Sequence, residues 1–114
     1  MNAMDYYIIL NRKAKRMNKV ENEQRIKDND IVRHFKKETV DNSDPNQYLY
    51  KVLCTNARET DNYERQVVYM ALYTRGDVKA GDIFVRDYDE FMSEVDRKKY
   101  PNIKQRFRFE PINN

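Results

Sequence analysis

The chain has 114 residues with 22 Lys+Arg, 19 Asp+Glu, one His and one Cys, for a net charge of +3. That length fits one compact core and not two; the nearly balanced charge describes a mixed, solvated surface, and the lone Cys54 and lone His34 exclude an intrachain disulfide and an ordinary Cys/His zinc site. Leu, Ile, Val and Phe supply only 25 residues, just above the level of roughly 20% below which chains tend to stay disordered, so the nine Tyr must carry part of the core.

In chain order, Tyr6, Leu10, Ala14, Met17 and Val20 recur at spacings of three and four, which predicts a helix. Opposite that stripe stand Arg12, Lys13, Lys15, Arg16 and Lys19. The run from Glu21 to Asp30 keeps only Ile26 as an apolar anchor and reads as a fraying helix end and linker, so residues 1–30 form a helical, Lys/Arg-rich extension. The apolar run Tyr6 to Leu10 is far shorter than the roughly 20 residues of a membrane span, and nothing resembles a signal peptide. The cytosol is the expected compartment.

From Ile31 to Pro111 the pattern changes to short β-rich runs separated by turn formers, the mark of a small β domain rather than of βαβ units. Strands are predicted over Ile31 to Lys37, Tyr48 to Asn56, Arg65 to Thr74 and Asp82 to Arg86, with a closing strand around Phe107 and Phe109. The third, built on Val67-Val68-Tyr69-Met70-Ala71-Leu72-Tyr73, is apolar on both faces, as a central strand should be. Gly76 and Gly81 mark the connection after it. Asp87 or Asp89 is placed to cap a short helical turn carrying Phe91 and Val95.

The ordered series Arg33-His34-Phe35-Lys36, Tyr50-Lys51-Val52-Leu53, Glu59-Thr60, Val67 to Tyr73, Phe84-Val85-Arg86, and Phe91 with Glu94-Val95 resembles the bacterial family known as domain of unknown function 1653. The resemblance runs from about Ile31 to Val95. It implies a compact, mostly β fold, expected as a small SH3-like barrel of about five antiparallel strands behind the N-terminal α-helical extension, and it implies no established reaction.

His34 is the default proton-transfer candidate because its ordinary pKa lies near neutrality. The competing reading, which we favour, is a partly buried histidine hydrogen-bonded to a neighbouring strand. Arg86 can hold a carboxylate or phosphate in its planar fork, or equally pair with Glu59, Asp87 or Glu94. Tyr69 and Tyr73 share one strand face and would line a peptide or single-strand groove if exposed, although packing at the core edge is the stronger expectation in a chain so poor in Leu and Ile. Glu59-Thr60-Asp61 reads as a turn and Cys54 as a small hydrophobe.

There is no Gly-rich phosphate loop, G-x-S-x-G, H-E-x-x-H or Cys/His metal spacing. The expectation is therefore a binding or accessory module rather than an enzyme, without cofactor or metal, taking a protein, peptide or small ligand through Arg33, His34, Tyr69 and Arg86. Two alternatives stay open: a nucleic-acid binder using Arg12, Lys13, Lys15, Arg16 and Lys19, and an enzyme with a His34/Arg86 pocket. The apolar N-terminal stripe also leaves a homodimer open.

Overall fold

A computed structural model describes residues 18–112. Within them the order is helix α1 (Lys19–Gln24), strand β1 (Ile31–His34), a 3-10 helix (Phe35–Thr39), strands β2 (Leu49–Arg58), β3 (Arg65–Ala71) and β4 (Ile83–Asp87), helix α2 (Tyr88–Phe91) and strand β5 (Phe109–Pro111). The five strands form one antiparallel sheet ordered β4-β3-β2-β1-β5. The fold is thus mostly β with few helices, and the N-terminal stripe from Tyr6 to Met17 lies outside the described residues.

Alternation sets the inward face. Val32 and His34 of β1, Tyr50 and Val52 of β2, and Val67, Tyr69 and Ala71 of β3 are buried, while the strand residues between them are half-buried. β3 therefore buries one face, not both. Its register with β2 shifts between Val52 and Cys54 and again between Cys54 and Ala57, irregularities that bend a strand and increase its twist. Cys54 sits in this stretch, half-buried.

The sheet does not close. β4 and β5 are its two edges, so the closed barrel expected from the sequence is corrected to an open sheet. β5 is only three residues long and returns beside β1, pairing Val32 with Pro111 and His34 with Phe109. The inward face is covered instead by side chains: Phe91, Met92 and Phe109, with Ile26 from the run after α1, join the buried strand residues in one cluster. Phe91 and Phe109 stack face to face with centroids 4.0 Å apart.

Residues 21–30, expected as a helix end and linker, are tied to this core. Ile26 is 3% exposed. Arg25 donates from Nη1 to the Phe109 carbonyl at 2.7 Å and from Nη2 to the Met92 carbonyl at 3.1 Å, with its guanidinium 3.7 Å over the Phe107 ring. Burial, partly offset by Glu110, lowers its pKa to about 10.

Candidate anion-binding site

β1 ends where its last side chain stops it. His34 Nδ1 accepts the Lys36 backbone N–H at 3.1 Å and so caps the 3-10 helix, ending the strand three residues before the predicted Lys37. A neutral imidazole whose Nδ1 accepts carries its proton on Nε2. The ring is 8% exposed, stacked on Phe35 at 4.5 Å and meeting the edge of Phe109 at 4.9 Å. No described residue hydrogen-bonds Nε2, and the ring lines a cavity of about 320 Å³.

Four cations from separate elements reach the same cavity: Lys36 from the 3-10 helix, Arg86 from β4, Lys99, and Arg108 from just before β5. Arg86 donates from Nε to Tyr69 Oη at 3.2 Å and from Nη1 to Glu90 at 2.7 Å. Burial alone would lower its pKa, but the Tyr69 hydrogen bond and the Glu90 charge outweigh it and raise it. Arg108 Nε donates to the Glu90 carbonyl at 3.1 Å and to Ser93 Oγ at 3.3 Å. Its backbone carbonyl accepts the Phe35 N–H at 3.0 Å, which brings the approach to β5 against the 3-10 helix.

The remaining wall is a turn. Asp96 Oδ1 accepts the backbone N–H groups of Lys98 and Lys99 at 2.9 and 3.4 Å, and the Tyr100 N–H donates to the Asp96 carbonyl at 2.9 Å. This Asx geometry sets Lys99 and Tyr100 at the cavity, with the Tyr100 ring edge-on to Phe35 at 4.8 Å. Among the described residues Asp96 is the one carboxylate lining it.

The electrostatic consequence is read on His34. Burial first, then the positive charges of Arg86, Arg108 and Lys36, pull its pKa down to about 3. At neutral pH it is an uncharged N–H donor in a positive field. That same field favours an anion.

Of the four ligand-facing residues expected from the sequence, the structure joins His34 and Arg86 in one cavity. Tyr69 is 4% exposed and touches the site only by accepting from Arg86. Arg33 points to the other face of β1, donating to Gln105 Oε1 at 3.0 Å and lining a separate hollow with Glu38 and Lys104. The expected partners of Arg86 are corrected to Glu90: Glu94 pairs with Arg106 at 2.7 Å, and Glu59 accepts the Asp61 and Asn62 N–H groups in its own turn. Asp87 accepts the Glu90 N–H and caps α2.

Tyr73 is also buried, sharing a hydrogen bond with Tyr50 at 2.8 Å between their hydroxyls. Burial raises the pKa of both phenols. The exposed row of tyrosines that a groove would need is not found among the described residues. Lys19 lines a hollow with Glu23, Glu64, Arg65, Asp87 and Asp89; Arg12, Lys13, Lys15 and Arg16 lie outside the described residues. Among the described residues no group of His, Cys, Asp and Glu is arranged to hold a metal ion, and no helix is long and apolar enough to cross a membrane.

Lys36, Asp96, Lys99, Tyr100 and Arg108 were not singled out by sequence reasoning. Lys36 stands inside the Arg33-His34-Phe35-Lys36 motif, and that was the only signal pointing at any of them. A family model described as protein of unknown function (DUF1653) matches residues 30–111. The chain belongs to this family. The DUF1653 match runs past Val95, where the resemblance read from motifs stops, and takes in the Asp96 turn and Arg108. Neither the curated proteins nor the solved structures contain a match.

Proposed function

We propose that the protein is a small-ligand-binding module whose ligand is an anion held between the 3-10 helix, β4 and the Asp96 turn. The observation that carries this reading is a buried histidine with a spare N–H donor, set in a cavity with four cations and one carboxylate. The buried side-chain atoms left without a partner among the described residues are Gln47 Oε1 and Tyr88 Oη, so the His34 Nε2–H opens onto the cavity, where an anion would supply its acceptor. Binding is favoured over proton transfer because a histidine held near pKa 3 is a weak base at neutral pH. A peptide groove at Tyr69 has less support, since that ring is in the core.

The strand order also supports an opened form of the SH3-like architecture: a four-strand meander whose fifth strand returns to the first. An intracellular setting suits the single unpaired Cys54.

The test is an NMR titration of the labelled protein with sulfate, phosphate and acetate, ionic strength being held constant with sodium chloride. Saturable shifts at the His34 ring and the Lys36, Lys99 and Arg108 amides are expected for at least one anion, with the His34 pKa rising in the bound state. An imidazole and amides that follow ionic strength alone would remove the proposal.

A further inference from the structure

We infer that the cavity selects a dianionic terminal phosphate, free or carried as a monoester, over carboxylates and phosphodiesters; this rests on the anion-binding reading above. The argument begins with which charges are already answered. Arg86 has a carboxylate partner in Glu90 at 2.7 Å. Arg108 has none among the described residues: its Nε meets a carbonyl and a hydroxyl, both neutral. Neither Lys36 nor Lys99 forms an ion pair among the described residues. Asp96 offsets one of these three cations. Two positive charges are left for a ligand to balance, so a dianion neutralises the cavity and a monoanion leaves a surplus.

The donors then discriminate by shape. The lining donors come from separate elements: His34 from the end of β1, Arg108 from the approach to β5, Arg86 from β4 with its Nε and Nη1 already donating, and Lys36 and Lys99 from the 3-10 helix and the Asp96 turn. Donors converging from several directions suit the three terminal oxygens of a phosphate better than the two coplanar oxygens of a carboxylate. A phosphodiester carries one charge and bears two substituents. A monoester has one, and the Phe35 and Tyr100 rings supply an apolar wall for it.

The experiment uses the whole 15N-labelled chain at pH 7.5, where a phosphate monoester with a second pKa of about 6 is mostly dianionic. Four ligands are titrated at constant ionic strength: inorganic phosphate, methyl phosphate, dimethyl phosphate and acetate. The first two are expected to bind at least about fivefold more tightly than the last two, a difference of about 1 kcal/mol. Equal affinity for inorganic and methyl phosphate would assign the site to the phosphate group itself; tighter methyl phosphate would assign it to an ester. Any ratio below fivefold overturns the dianion inference while leaving an anion site in place. No shift with any of the four removes both. Lys99→Gln, at an exposed side chain, is expected to keep the folded amide spectrum and to narrow the phosphate-to-acetate ratio. An unchanged ratio in that variant also counts against the inference.

Discussion

His34 does two jobs with its two ring nitrogens, and stability against pH separates them. Its folded pKa, about 3, lies below the ordinary 6.5, so the unfolded chain binds the proton more readily, and stability is lost as pH falls below 6.5 toward 3. By linkage the loss between pH 7 and 5 is about 2 kcal/mol. His34→Asn retains an acceptor near the Nδ1 position for the Lys36 N–H but cannot titrate. Urea unfolding at the two pH values should show the wild type weakening by that amount and the variant staying nearly flat. Glu38 stays out of this window, because hydrogen bonds from the Lys104 and Gln105 N–H groups outweigh its desolvation and hold it below its usual range. Arg25 makes a different point at the same scale. It sits in a polar run that offers no sequence signal, yet its guanidinium satisfies the Met92 and Phe109 carbonyls on two distant segments. Arg25→Met keeps much of the packing over Phe107 and leaves both carbonyls without that partner. A loss of about 2–4 kcal/mol is expected from the urea midpoint.

Elements were legible in the sequence where one strand's own alternation defines them, and less so where a contact across the fold ends them. β3 and β4 lie close to their predicted ranges. β2 runs on to Arg58 because Arg58 and Arg65 pair across the hairpin, whose tip is closed by the Glu59 carboxylate. β1 stops at His34 because the side chain itself caps the next helix. The site follows the same division. His34 and Arg86 stood out by residue type, whereas Lys99 and Arg108 reach the cavity only through the return of β5 to β1, which no local periodicity records. The segment before β5 is held from outside by Glu38, which accepts the Lys104 and Gln105 N–H groups at 2.9 and 2.8 Å. Glu38→Ala should cost only about 1 kcal/mol, since these bonds are partly solvated. Amide hydrogen exchange should show the effect locally, with Lys104 and Gln105 exchanging faster and the β2 and β3 amides slowing or quickening little.

For the molecule as a whole, the open sheet makes the covering segment part of the core and places the site on the same support. Phe109 is 1% exposed and meets His34, Tyr50, Tyr69 and Phe91. An SH3-like closure was expected from motif order, but whether two edge strands meet depends on how far the sheet bends and how long β5 is, neither of which the motifs encode. Because Phe109 both fills the core and backs the His34 ring, stability and affinity should fall together when it is trimmed. Phe109→Leu should lower stability by about 1–3 kcal/mol and weaken anion binding as His34 loses its edge contact. Lys99→Gln should change stability by no more than about 0.5 kcal/mol and weaken binding alone. Thermal unfolding with and without phosphate distinguishes them. Ligand at a hundred times its Kd adds about 2.7 kcal/mol, so at one fixed phosphate concentration both variants should gain less than the wild type, while only Phe109→Leu starts from a lower melting temperature. If Phe109→Leu gained the full wild-type increment, the site would stand independently of the core, and the coupling through the His34 ring would be wrong.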